Sequence, residues 1–184
     1  MNVVSVNVGK RKTISYKGKD VETGIFKHPT NIIELGEKNV VSDAIVDRKH
    51  HGGINRAVYA YAESHYDYWK KLYPEAPWHY GIFGENLTID FFDETEIYVG
   101  NQYKIGDVII EVTEPRLPCM KLGLVFNNQK ILKQFWNSTK SGVYFKVLKK
   151  GLIKTGDTIE LVKECKTNNT IAEVYNKTRI KKGL

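Results

Sequence analysis

The chain has 184 residues, of which 41% are hydrophobic and 27% are charged. This composition is typical of a globular protein and excludes a disordered or collagen-like chain, and the length predicts a single domain. Lysine and arginine outnumber aspartate and glutamate by 28 to 21, so the formal net charge is +7. Because such a surplus is also typical of nucleic-acid-binding proteins, its distribution along the chain matters.

More than half of the net positive charge, +4 of +7, lies near the end of the chain. Residues 1–162 carry 22 basic and 19 acidic residues, whereas residues 163–184 carry 6 and 2. We therefore expect one domain over residues 1–163, followed by a basic, solvent-exposed tail over 164–184 that contains at most one short helix. Such tails are usually solvated, which makes a nucleic-acid partner unlikely.

Hydropathy and cysteine content predict a cytoplasmic protein without a membrane partner. No stretch approaches the roughly 18 apolar residues of a membrane span, and the first residues lack the apolar core of a signal peptide. The two cysteines, Cys119 and Cys165, are too few for a disulfide framework and lack metal-finger spacing. We expect both thiols to be free in a reducing compartment.

Short apolar alternations separated by glycine predict a mainly β protein. The predicted strands are Val3 to Val8, Val21 to Phe26, Ala57 to Tyr61, Glu96 to Val99, Val108 to Thr113, Val143 to Val147 and Thr158 to Val162. Helical spacing predicts a helix from Glu63 to Tyr73, a second from Asn127 towards Gly142, and a short one from Thr170. Many short strands with inserted helices indicate a partly closed β-barrel.

No common cofactor signature is present: the sequence lacks G-x-G-x-x-G, G-x-x-x-x-G-K-[ST], H-E-x-x-H and C-x-x-C. One segment of interest is instead Arg48 to Tyr59. Its paired glycines, Gly52 and Gly53, would let the backbone approach a ligand closely, and the neighbouring Arg48, His51 and Arg56 could meet an anion. A solvated basic hairpin explains this segment equally well.

Two further segments carry candidate chemistry. Glu85 and Asn86 follow a glycine turn, and the Asn86 amide can both donate and accept hydrogen bonds to a heterocycle. In the segment Pro115 to Leu122 two prolines stiffen a loop, and Arg116 and Lys121 would favour the thiolate of Cys119, the form that binds soft metals. A structural turn and a buried cysteine are the alternative interpretations.

Together the three segments resemble the MOSC domain family, named after the C-terminal part of molybdenum cofactor sulfurase, and especially its bacterial YiiM-like branch. The resemblance rests on His-Gly-Gly at 51–53, Phe-Gly-Glu-Asn-Leu at 83–87 and Pro-Arg-x-Pro-Cys at 115–119, and it extends over about residues 23–162. It implies a MOSC-type β-barrel whose family cysteine, matched by Cys119, ligates the molybdenum of a pterin cofactor. It also implies the reduction of N-hydroxylated bases and related compounds to amines.

On this resemblance, the remaining candidates are assigned by charge and proton chemistry. Lys27, Arg48, His51, Arg56 and Arg116 are candidates to neutralise the cofactor phosphate and orient the pterin, with Gly52, Gly53 and Asn86 close to it. His51 or Glu85 could supply a proton to the substrate.

Three functions remain to be distinguished. An enzyme of this kind needs a separate electron-donating reductase, because the chain has no flavin, nicotinamide or iron–sulfur signature of its own. A non-catalytic domain that carries the cofactor or sulfur on Cys119 would share every motif. An OB-like nucleic-acid binder using the basic tail is a distant third.

Overall fold

The computed structural model describes residues 1–44, 46 and 52–184, and the chain is mainly β, as predicted. The strands in chain order are β1 (Val3–Gly9), β2 (Lys12–Tyr16), β3 (Lys19–Thr23), β4 (Lys27–Thr30), β5 (Ile32–Leu35), β6 (Val58–Ala62), β7 (Leu87–Ile89), β8 (Gln102–Ile105), β9 (Val108–Pro115), β10 (Val143–Lys149), β11 (Gly151–Lys154) and β12 (Ile159–Lys163). The helices are α1 (Tyr66–Leu72), α2 (Met120–Val125), α3 (Lys130–Asn137) and α4 (Ile171–Lys181).

The main sheet has eight strands in the order β12-β8-β9-β10-β6-β7-β1-β4. Its curvature brings β1 back towards the opposite edge, where Asn2 forms an isolated bridge with Thr158. Backbone hydrogen bonds reinforce this contact, because the amide of Ile159 donates to Met1 at 2.8 Å and that of Gly156 donates to Val3 at 2.8 Å. The sheet is therefore a partly closed barrel, as the strand pattern predicts.

Two hydrophobic cores lie on opposite sides of the sheet. The first fills the barrel with aliphatic side chains such as Val6, Ile110 and Val112. The second is aromatic and packs the connection between β6 and β7, which are parallel, against α2 and α3. In its centre Trp69 is fully buried, stacks on Phe135 at 5.6 Å and donates from Nε1 to the Tyr61 hydroxyl at 2.7 Å.

One predicted strand is wrong and another is shortened. Glu96 to Val99 forms no strand: its apolar residues instead bond to the tail, where the amide of Ile171 donates to Ile97 at 2.8 Å and that of Val99 donates to Asn169 at 3.0 Å. The predicted strand to Phe26 stops at Thr23, because at Gly24 the backbone passes so close to Ala44 that a Cβ would lie 1.9 Å from its carbonyl oxygen.

The tail forms a docked helix and is only partly solvated, contrary to the expectation for residues 164–184. Ile171 and Tyr175 in α4 are fully buried, and the Tyr175 hydroxyl donates to the carbonyl of Phe135 at 2.8 Å. Thr170 caps the helix with a reciprocal capping box to Glu173. Lys166 and the basic residues beyond Tyr175 retain the exposed basic character on which a nucleic-acid interaction would depend.

We expect Thr170→Ala to lower the free energy of unfolding by about 1 kcal/mol, because it leaves the Glu173 amide of α4 without its side-chain acceptor at 3.2 Å. Chemical denaturation would measure the change. Thr95→Ala is the matched control, since the Thr95 hydroxyl bonds only to Asp93 at the surface. Equal effects in the two variants would contradict a capping role.

Candidate functional site

A cleft beside the aromatic core brings residues of all three sequence segments together. It encloses about 630 Å³ of empty space, including its open mouth. The lining residues of the described chain are Thr23, Gly24, Ile25, Lys27, Asp43, Ala44, Val46, Gly52, Arg56, Ala57, Tyr59, Gly84, Asn86, Arg116, Cys119, Lys121 and Tyr144. Lys27, Gly52, Arg56, Asn86, Arg116 and Cys119 therefore line one space, whereas Glu85 is absent from the lining.

Cys119 lies between the end of β9 and the first turn of α2. Its thiol is free and half-buried, and its carbonyl accepts a hydrogen bond from the amide of Leu122 at 2.9 Å. Pro118 precedes it and restricts the loop, while Lys121 contributes a cation to the same cleft. The cleft thus presents one soft sulfur atom on a short, restricted loop.

Arg116 is the most unusual charged group of the cleft. The residue is 3% exposed, and its Nη1 atom has no hydrogen-bond partner among the described residues. The guanidinium lies 5.2 Å from the ring centre of Tyr59 and 5.5 Å from that of Phe135. Burial alone would lower the pKa of Arg116, but neighbouring Tyr59, Tyr144 and Cys119 raise it, so the group remains a cation. A buried cationic donor whose Nη1 has no described partner has capacity to bind an anion or a water molecule.

Lys27 is the second buried cation, and a carboxylate neutralises it. Its ammonium lies 2.5 Å from Oδ2 of Asp43, and burial lowers the pKa of Lys27 while Asp43 opposes this effect. The same Asp43 accepts from the amide of Gly9 at 2.7 Å and from Nδ2 of Asn86 at 3.0 Å. Asp43 therefore holds strand β1, Lys27 and Asn86 in one arrangement.

The hydrogen bonds of Asn86 are largely used within the protein. Besides the contact to Asp43, its Nδ2 lies 3.3 Å from the carbonyl of Asn7, and its Oδ1 lies 3.4 Å from the amide of Tyr59. These hydrogen bonds leave the Asn86 amide little capacity for the predicted hydrogen bonds to a heterocycle. Its visible task is to join β1 to β6.

Arg56 pairs with Glu114 through two hydrogen bonds, from Nε to Oε1 at 2.5 Å and from Nη2 to Oε2 at 3.0 Å. This bidentate contact raises the pKa of Arg56. Both side chains are about one-third exposed, 34% and 32%. Arg56 lines the cleft as a partly neutralised cation, whereas Arg116 is a buried cation of the cleft whose charge no described carboxylate balances.

Glu85 lies behind the cleft and is fully buried. Its carboxylate accepts from the amide of Gly81 at 2.7 Å, the amide of Phe83 at 3.1 Å, the hydroxyl of Thr88 at 3.0 Å and the hydroxyl of Tyr66. Burial raises the pKa of Glu85, and these four donors lower it in part. This arrangement is that of a structural carboxylate, and Glu85 has no contact with the space in which a substrate would lie.

Arg48 and His51 lie outside the described residues, so their predicted roles stay predictions. Gly52 lines the cleft with a φ of 73°, a conformation that favours glycine. Gly53, at a φ of 88°, does not line it, and its amide donates to the carbonyl of Lys38 at 3.1 Å.

The donor set of the cleft suits a cofactor that brings its own metal ligands. Among the described residues, no group of three or more His, Cys, Asp or Glu side chains could hold a metal ion. A single thiol in the same cleft as a buried guanidinium whose Nη1 has no described partner could instead supply one soft ligand and one anion contact. The described residues therefore fit an anionic, sulfur-ligated cofactor better than a bare cation.

Sequence reasoning missed three lining residues with ionisable side chains: Asp43, Tyr59 and Tyr144. The alternation Val143-Tyr144-Phe145 contains a usable signal, because the buried Val143 and Phe145 share one face and Tyr144 lies on the other. Asp43 had no comparable signal, because it lies in a loop and its contacts depend on the pairing of β1 with β4.

The amino-acid sequence matches one family model and several known proteins. The model of the MOSC domain matches residues 47–160. The chain is 33% identical to the uncharacterized protein YflK of Bacillus subtilis over 88% of this chain and 73% of YflK. It is 34% identical to the protein YiiM of Escherichia coli over 70% of this chain and 58% of YiiM. A Gibberella moniliformis protein named reductase is 41% identical over 61% of this chain, which spans only 20% of that protein.

Solved structures agree with the sequence matches. YiiM from Geobacillus stearothermophilus superimposes with a TM-score of 0.79 at 29% identity, covering all of this chain and 86% of that one. YiiM from Escherichia coli gives a TM-score of 0.69 at 27% identity, covering 95% of this chain and 76% of that one. Within the described residues, no helix is long and apolar enough to cross a bilayer.

Proposed function

Because the chain belongs to the MOSC domain family, we propose that it binds a molybdenum–pterin cofactor and reduces N-hydroxylated compounds to amines. The observation that carries this proposal is the buried, unpartnered Nη1 of Arg116 in the cleft that also holds the free thiol of Cys119. The fungal relative named reductase supports the type of reaction.

The residues of this chain would bind and orient the cofactor. When bound, the cofactor would supply the two-electron chemistry. The Cys119 thiolate would be the protein ligand of molybdenum, since thiolates suit soft metals. Arg116 would bind an anionic group of the cofactor, and Lys27 and Arg56, which Asp43 and Glu114 hold in place, would line its sides.

The reaction requires an external source of electrons. Conversion of R–NHOH to R–NH₂ and water consumes two electrons and two protons. No flavin, nicotinamide or iron–sulfur motif is present in the sequence. We therefore propose that a separate reductase docks on this protein and donates the electrons, with a small N-hydroxylated molecule as the substrate and the cytoplasm as the compartment.

The proposal is tested by expressing the wild type and Cys119→Ala in a host that makes the cofactor. We expect about one molybdenum and one pterin per wild-type chain, and reduction of an N-hydroxylated base when a reductase and its donor are added. Cys119→Ala should lose molybdenum and turnover. Cys165→Ala is the control, because its thiol lies near the carbonyl of Gly100 at 3.4 Å and does not line the cleft.

The alternatives predict different outcomes. Stoichiometric cofactor without turnover of any N-hydroxylated compound would indicate a carrier domain. Unchanged molybdenum content in Cys119→Ala would disprove the ligand assignment. Salt-sensitive nucleic-acid binding without cofactor would favour the third function.

A further inference from the structure

Tyr144 has a fixed position in the cleft. It lies on β10, where its backbone is paired with Tyr59 of β6 and Glu114 of β9, and its carbonyl accepts from the Thr113 hydroxyl at 2.9 Å. Its ring centre lies 5.1 Å from that of Tyr59. Two flanking strands and a ring contact thus hold the phenol at the cleft wall.

The hydroxyl of Tyr144 differs from the Tyr59 hydroxyl and the Lys27 ammonium, which have partners within the protein. The Tyr59 hydroxyl donates to the carbonyl of Ser141 at 2.9 Å, and the ammonium of Lys27 is paired with Asp43. The Tyr144 hydroxyl, by contrast, donates no hydrogen bond to a described residue. The residue lines the cleft and is only half-buried. This hydroxyl is therefore available to a ligand.

The surrounding charges suit a proton donor. Burial raises the pKa of Tyr144, so the phenol keeps its proton at neutral pH, while the cations Arg116 and Arg56 oppose this shift and would stabilise a phenolate. Cys119 and Glu114 act in the opposite sense to the arginines and raise the pKa of Tyr144. Two positive groups next to a neutral acid are a suitable arrangement for releasing a proton and regaining it.

We propose that Tyr144 is a catalytic residue whose hydroxyl donates a proton to the oxygen atom that leaves the substrate. The inference rests on the proposed function. In R–NHOH the N–O bond breaks as two electrons from the reductase partner enter. The Tyr144 proton goes to the departing oxygen, which leaves as water, and a second proton from solvent reaches the nitrogen. Solvent then reprotonates the phenolate.

The first test is Tyr144→Phe, which keeps the ring against Tyr59. We expect kcat for an N-hydroxylated base to fall about 100-fold, since general acids contribute factors of about 10² to 10⁴, with little change in KM. Molybdenum and pterin content should equal those of the wild type. Tyr103→Phe is the matched control, because Tyr103 is a buried tyrosine on β8 that contacts Phe145 and does not line the cleft.

The second test needs no loaded enzyme. Cofactor-free protein is titrated with N4-hydroxycytidine and with cytidine. If Tyr144 donates to the hydroxylamine oxygen, the wild type and Tyr103→Phe should bind the hydroxylated compound about fivefold more tightly than cytidine, as expected for one neutral hydrogen bond. Tyr144→Phe should bind the two compounds equally.

The outcomes separate this inference from the proposed function. If the wild type reduces N-hydroxylated compounds and Tyr144→Phe retains a third or more of kcat, or still discriminates between the two nucleosides, the inference is overturned and the proposed function remains. Loss of cofactor from Tyr144→Phe would also overturn it, since the residue would then hold the cofactor. If the cofactor-loaded wild type reduces no such compound, both fail.

Discussion

Replacement of Arg116 by methionine should lower the affinity for the molybdenum–pterin cofactor about a thousandfold. Removing one partner of a buried charge pair costs about 3–5 kcal/mol, because the other charge loses its compensation. Arg116 is a buried cation of the cleft that no described carboxylate balances, so we expect the bound anion to depend on it. Molybdenum and pterin content after gel filtration, together with the dissociation rate of the cofactor, measure the change.

The same substitution should leave the cofactor-free protein at least as stable as the wild type. An unsatisfied buried donor costs about 1–3 kcal/mol, and methionine can occupy the space between the rings of Tyr59 and Phe135. Arg11→Met is the control, because Arg11 is an exposed arginine whose guanidinium pairs with Glu22 at the surface, at 3.5 Å. An Arg116→Met protein that keeps its full cofactor would contradict the anion site.

Replacement of Glu85 by alanine should lower the free energy of unfolding by about 5 kcal/mol. The carboxylate is the acceptor for two backbone amides, those of Gly81 and Phe83, and for two hydroxyls. Each buried donor left without an acceptor costs about 1–3 kcal/mol. In a chain of this size the loss corresponds to a fall in Tm of roughly 10–20 °C, which calorimetry would measure.

Glu22→Ala provides the comparison, because Glu22 is an exposed glutamate whose one ion pair joins it to Arg11 at the surface. Its effect on Tm should be small, as for most exposed ion pairs. If Glu85→Ala matched Glu22→Ala in stability but lost turnover, Glu85 would act as a proton donor and its structural role would be wrong.

The spacing of apolar residues predicted those helices and strands whose buried face is defined by residues of the same segment. The spacing of Ile131 and Phe135 predicted α3, and both side chains are fully buried. The prediction failed where pairing depended on a distant segment, as for Ile97, whose carbonyl bonds to Ile171. The six-residue helix α2 carried too few apolar repeats for its period to be recognised.

The candidate site shows the same division. Motif residues identified Arg116, Cys119 and Asn86, which do line one cleft. The motif did not reveal the direction of Glu85. Gly81 and Gly84 adopt φ values of 91° and 79°. The resulting turn directs the Glu85 carboxylate onto the backbone amides of Gly81 and Phe83 rather than towards the cleft. Such a direction depends on torsion angles that residue types alone do not specify.

The closing contacts of the sheet have a consequence for folding kinetics. The hydrogen bonds that join Met1 to Ile159 and Val3 to Gly156 connect segments that are almost the whole chain apart. Contacts of this sequence separation carry a large loop-closure entropy and slow the search for the native topology. Residues 1–3 should therefore dock late, after β8, β9 and β12 have assembled. In hydrogen exchange during refolding, the amide of Ile159 should become protected after those of the β8–β9 hairpin.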